Sequence, residues 1–191
     1  MKLNKLFNTT TYIYEIIIDT ETTGLDPKHD RIVELAVIEI INGKRTSRVF
    51  HSYSNPFPIK VNISAMTIHG LTNEFLSTKP KFKERVNQFL DLIKNRSLIA
   101  HNATFDAVMI NNELTRIGLT NIPNNRWIDT LKLTRNLFSG KHNSLNILCK
   151  RYKLKPNGQS HSAINNCKNL LTLYNSMYFN KTKSILKLSN D

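Results

Sequence analysis

The chain has 191 residues and a mass of 22.0 kDa, one domain's worth of sequence and enough to bury a core without staples. At 40% hydrophobic and 21% charged it is not a disordered polymer, and no apolar run approaches the roughly 18 residues that span a membrane. Its 27 Lys and Arg against 14 Asp and Glu give a net charge of +13, which favours a polyanionic partner such as nucleic acid.

The residues Tyr12–Ile18 form an aromatic and β-branched run that reads as a buried strand. It leads into Asp19-Thr20-Glu21-Thr22-Thr23-Gly24 and a turn at Asp26-Pro27. A second strand spans Arg31–Ile41, interrupted by Glu34 and Glu39, and Asn42-Gly43 is a hairpin signal that returns Lys44–Tyr53 antiparallel. Asn55–Pro58 is a loop, and Ser64–Ile68 a short helix stopped at Gly70. Apolar residues at 82, 86, 89, 90 and 93 predict a helix over Phe82–Ile93. Ser97–Ala100 is a short strand entering His101-Asn102, and Thr104–Ile117 a helix closed by Gly118. Helices follow at Trp127–Phe138, Ser144–Tyr152 and Ser160–Tyr178. The predicted class is α/β, a mixed sheet whose first three strands are antiparallel, flanked by helices. Residues 1–11 read as an N-terminal extension, 12–179 as one domain, and 180–191 as a polar C-terminal tail.

Three strings carry chemistry. Asp19 and Glu21 lie two apart at a strand end and so share a face, and their hard oxygens suit Mg²⁺ or Mn²⁺. Asp106 closes His101-Asn102-Ala103-Thr104-Phe105-Asp106, after a second strand and at a helix start. A lone aspartate there complements the helix dipole; the whole string is far more specific. His161 begins His161-Ser162-Ala163-Ile164-Asn165-Asn166 in the first turn of the last predicted helix. Cys149 and Cys167 have no C-x-x-C partner, which reads as a reduced intracellular protein without structural zinc.

In this order the three strings resemble the motifs of the DnaQ-like 3′–5′ exonucleases of the histidine-containing type, and within them the epsilon proofreading subunits of bacterial DNA polymerase III. Supporting strings are residues 30–35, 67–72, 129–131 and 143–152, so the resemblance covers about residues 12–178. It implies an RNase H-like fold and removal of 3′-terminal nucleotides from DNA, in the cytoplasm at the nucleoid. It implies two divalent ions, Mg²⁺ or Mn²⁺, about 4 Å apart on the scissile phosphate. Asp19, Glu21 and Asp106 fall at ligand positions, and His161 at the position that takes the proton from the attacking water, a task suited to imidazole. Thr22, Thr23, Ser64, His69 and Asn102 fall where the family holds the terminal nucleotide. Met66 and Phe105 fall where apolar side chains flank its base or sugar.

One position departs from the motif. The family's last metal-ligand aspartate is Asn166 here, and residues 130–190 carry 11 basic and no acidic residues, so no shift of register restores it. Asn146 likewise stands where the family usually has Asp. An amide oxygen still ligates a hard cation but brings no charge, so affinity for the ion falls. A catalytically weak or inactive accessory subunit of a DNA polymerase, or a related RNA 3′-exonuclease, are the alternative readings of the same strings. The DNA 3′ end, single-stranded or frayed, is the implied partner. The polymerase III catalytic subunit is implied too, although the usual C-terminal docking segment is not recognisable in this sequence.

Overall fold

The computed structural model describes residues 12–158 and 161–188, with side chains described through Met177. The expected N-terminal extension and the end of the expected tail lie outside them. Five strands form one mixed sheet: β1 (Tyr14–Thr22), β2 (Ile32–Ile41), β3 (Lys44–Tyr53), β4 (Ser97–Ala100) and β5 (Trp127–Asp129), in the spatial order β3-β2-β1-β4-β5. β1–β2 and β2–β3 pair antiparallel, while β1–β4 and β4–β5 pair parallel. The β2–β3 turn is made by Asn42 and Gly43, both at positive φ, as a tight hairpin of matching twist requires.

Seven α-helices and a 3-10 turn at Asn124–Arg126 complete the described residues: α1 (Ile63–His69), α2 (Asn73–Ser77), α3 (Phe82–Ile93), α4 (Ala103–Arg116), α5 (Thr130–Leu137), α6 (Leu145–Arg151) and α7 (Ala163–Leu188). Period-two alternation divides the central strands between two cores. Ile16, Ile18, Leu35 and Val37 pack with α3 and α4 residues such as Phe89, Met109 and Ile110. Ile17, Ala36, Ile38 and Ile40 pack with Ala163, Cys167 and Leu170 of α7. Because both faces are covered, the middles of the two strands, Ile16–Ile18 of β1 and Leu35–Ile38 of β2, are unbroken apolar runs. None of the described helices is long and apolar enough to cross a membrane.

The structure corrects the sequence reading in four places. β1 runs from Tyr14 to Thr22 rather than over Tyr12–Ile18, so Asp19 and Glu21, at the strand end as expected, are themselves paired strand residues. Trp127–Asp129 is a short parallel strand, not the first turn of a helix: Asp129 caps α5 by accepting from the N–H groups of Leu131 (2.9 Å) and Lys132 (3.3 Å). α2 is a single turn capped by Thr72, too short to show a period. α7 begins at Ala163, after His161, and continues to Leu188 beyond the predicted helix end.

Candidate active site

The site forms where β1, α4 and the head of α7 meet. Asp19 and Glu21 share the α7 face of the sheet with Ile17. Thr20 points to the other face, where its hydroxyl donates to Asp106 Oδ1 at 2.8 Å. Asp106 is in the first turn of α4 and 3% exposed. Asn102 starts α4 in a left-handed conformation (φ 77°), which short polar residues tolerate, and its N–H donates to Asp129 Oδ1 at 3.2 Å. One carboxylate therefore ties the β4–α4 corner to α5.

The loop after β1 is held just as closely. Thr22 donates to the Gly24 carbonyl at 2.6 Å, and Thr23 to Asp30 Oδ1 at 2.6 Å. A Cβ on Gly24 would lie 2.3 Å from Asn62 Nδ2 and 2.5 Å from Asp30 Oδ2, so any larger residue would have to displace the two side chains that brace this loop. Arg31 forms a two-pronged pair with Glu113 of α4, Nε–Oε1 2.6 Å and Nη2–Oε2 2.8 Å, with Glu113 buried. His69 Nδ1 accepts from the Leu71 N–H at 3.0 Å, which leaves Nε2 to donate to the Thr22 carbonyl at 3.2 Å.

Electrostatically the cluster is short of positive charge. Burial, then Asp106 and Glu21, hold the Asp19 carboxyl well above the usual carboxylate range. Burial first, then Glu34 and Asp106, push Glu21 up to about 8, and burial pushes Asp106 up to about 7. Asn166 Nδ2 donates to Asp19 Oδ2 at 3.1 Å and to Glu21 Oε1 at 3.4 Å. With this amide between the carboxylates, no three Asp, Glu, His or Cys side chains among the described residues close around one point as a preformed metal site. The donor chemistry nevertheless fits a hard divalent cation: three carboxylates, plus the Asn166 amide oxygen once that amide turns over.

The other predicted residues divide. His161 is exposed, at φ 74°, two residues before α7, near enough to His69 for its charge to help lower the His69 pKa, after burial as the main cause. Ser64 is exposed on α1, while Thr22 and Thr23 are buried. Met66 packs against Val33, Val61 and Leu76, and Phe105 against the α3–α4 core, so each commits part of its surface to packing. Sequence reasoning passed over Glu34, which stands directly opposite Glu21 in the β1–β2 register and is 1% exposed. The signal was present, since an acid inside an apolar strand run is a buried charge in waiting.

The Exonuclease family profile (RNase_T) matches residues 16–174. The DNA polymerase III subunit epsilon of Rickettsia prowazekii is 44% identical over 165 residues, which cover 84% of this chain and 72% of that protein. The Salmonella typhimurium epsilon subunit is 33% identical over 187 residues, or 93% of this chain and 76% of that protein. Among solved structures, exonuclease X in complex with 5′ overhanging duplex DNA superposes with a TM-score of 0.67 at 29% identity, covering 86% of this chain and 91% of the other. The nuclease domain of 3′hExo, a DEDDh family member bound to rAMP, reaches 0.76 at 19% identity, covering 90% and 94%, and supports the fold. Family profile, epsilon relatives and the placement of the three motifs around one cluster agree: the chain belongs to the exonuclease family, as an enzyme of its DnaQ-like 3′–5′ branch.

Proposed function

We propose that this protein proofreads during replication, hydrolysing the terminal phosphodiester at a single-stranded or frayed DNA 3′ end and releasing a nucleoside monophosphate. The observation that carries this is the cluster of Asp19, Glu21 and Asp106, whose raised pKa values mark acids assembled without a compensating charge. The family depends in general on divalent metal; bound here, two Mg²⁺ or Mn²⁺ ions would supply Lewis-acid stabilisation of the phosphoryl charge and acidify a water. Asp19, Glu21 and Asp106 would hold them, with Asn166 as the neutral fourth donor. His161 takes the proton of the attacking water on a ring nitrogen. The Thr22–Thr23 backbone, Ser64, His69 and Asn102 hold the terminal nucleotide, and the free faces of Met66 and Phe105 flank its base or sugar. With one charge fewer at the fourth position the enzyme is slower than a four-carboxylate site. Mn²⁺, softer toward a neutral ligand, supports it better than Mg²⁺. The setting is the nucleoid, in association with the polymerase III catalytic subunit.

The test is release of dNMP from a primer with a mismatched 3′ end, with Mg²⁺ or Mn²⁺ and a parallel RNA oligonucleotide. Faster release from DNA supports the reading. Silence with every metal, in the wild type and in Asn166→Asp alike, overturns it; preference for the RNA changes the substrate.

A further inference from the structure

Glu34 is a fully buried acid that the proposed chemistry does not use. It projects from β2 on the sheet face it shares with Ala36 and Ile38, opposite α7, and lies across from Glu21. Like charges placed directly opposite in a sheet repel, so burying this one needs local compensation. Two groups supply it at Oε1. His51 Nε2 of β3 donates at 2.7 Å, and the Ser162 hydroxyl donates at 3.0 Å across 128 residues of sequence.

Ser162 is the hinge of this arrangement. It follows His161 and precedes the first residue of α7, and its carbonyl accepts the Asn166 N–H at 2.9 Å. A residue in that position has its backbone committed to the helix and its side chain free to anchor. The anchor it finds belongs to the sheet. His161 next to it holds a left-handed backbone (φ 74°), a conformation that a non-glycine residue keeps only when its surroundings impose it.

We propose that Glu34 is a positioning residue: acting through Ser162, it anchors the segment that carries His161 to the sheet beside the carboxylates. The inference rests on the role given to His161 above. Loss of the Ser162 hydroxyl lets the imidazole wander from the reacting water while Glu34 stays in place beside His69 of the nucleotide pocket, so turnover suffers and substrate affinity does not.

The test compares wild type with Ser162→Ala, Ser162→Thr, Glu34→Ala and the Ser162→Ala/Glu34→Ala double variant, in Mn²⁺-supported release of dNMP from an oligonucleotide. Ser162→Ala is expected to lower kcat about tenfold or more with KM within about twofold, because small misplacements of a reacting group cost such factors. Ser162→Thr, which keeps the hydroxyl, restores kcat. The double variant is no slower than Glu34→Ala alone, as two partners in one contact require. In parallel, amide hydrogen exchange across residues 161–166 should quicken in Ser162→Ala while β1 and β2 stay protected. Unchanged exchange or unchanged kcat in Ser162→Ala, a loss confined to KM, or independent multiplying effects overturns the anchor. Should wild type and Asn166→Asp both release no nucleotide, the proposed function fails, and the exchange comparison alone decides whether the anchor exists.

Discussion

The amide of Asn166 bridges Asp19 and Glu21, donating from Nδ2 to Asp19 Oδ2 at 3.1 Å and to Glu21 Oε1 at 3.4 Å. Without metal that contact is favourable: the hydrogen bond from Asn166 pulls the Asp19 pKa down against burial and its charged neighbours. Asn166→Asp replaces a donor with a fourth repelling carboxylate. The variant should therefore be less stable than wild type in chelator, and gain more than wild type when Mg²⁺ or Mn²⁺ is added. Thermal unfolding with and without metal reads both halves. Titration calorimetry should show divalent affinity about tenfold higher or more, with Mg²⁺-supported nucleotide release rising alongside. Equal metal affinities in the two proteins would remove the explanation for reduced activity.

A second expectation concerns pH. Glu21, near 8, and Asp106, near 7, both titrate above the ordinary carboxylate values of 4.5 and 3.8. The folded state thus holds their protons more tightly than the unfolded state. Their contribution to stability is full below the unfolded values and is lost as pH rises through about 7 to 8. Metal-free protein should melt at a lower temperature at pH 8 than at pH 5. Saturating Mn²⁺ should flatten or reverse that slope, because the cation replaces the protons. A metal-free melting temperature that rises steadily across this range would show that the cluster is not under the strain its burial implies.

Elements whose evidence is local were legible in the sequence. The Asn42-Gly43 turn located the hairpin and the pairs beside it, though a bulge between Ile38 and Ile40 shifts the register beyond them, and the spacing of Phe82, Val86, Phe89 and Ile93 located α3, because both signals are complete within a dozen residues. Trp127–Asp129 failed for the opposite reason. Its pairing partner is β4, and a three-residue strand running into a helix has no period of its own. The head of α7 failed likewise, since the contact that shapes it comes from Glu34 of β2. Of the site, the three motifs were readable as strings. The charge balance at Glu21 was not, because it depends on which strand lies alongside.

Outside the catalytic cluster, Glu113 is the acid on which the site's frame depends. Arg31 grips it with two hydrogen bonds, Arg116 adds a third contact at 3.3 Å, and the Ile32 N–H a fourth at 3.3 Å. Glu113→Ala leaves the partly buried Arg31 guanidinium without its partner. A loss of about 3–5 kcal/mol in unfolding free energy is expected, measured by denaturant titration. Arg31→Met combined with Glu113→Leu should recover much of it, since the penalty comes from the orphaned charge rather than from an intrinsic gain of the pair. An additive double variant would locate the stability elsewhere.

Thr20 offers the cleanest single-atom probe of the site. Its hydroxyl donates to Asp106 Oδ1 at 2.8 Å from the opposite sheet face to Asp19, and among the interactions that oppose the rise of the Asp106 pKa it is the strongest. Thr20→Val keeps the shape and removes only that bond. A carboxylate that loses a donor to its charged form titrates higher, so the Asp106 pKa in the variant should rise above about 7. Divalent binding competes with protons for the same oxygens. Mn²⁺ affinity at pH 7 should therefore fall in the variant, and recover toward wild type at pH 9, where Asp106 is ionised in both proteins. A deficit of equal size at both pH values would mean that the hydroxyl aims the carboxylate instead of setting its charge. Calorimetric titration at the two pH values separates the two roles, because aim does not depend on pH and charge does.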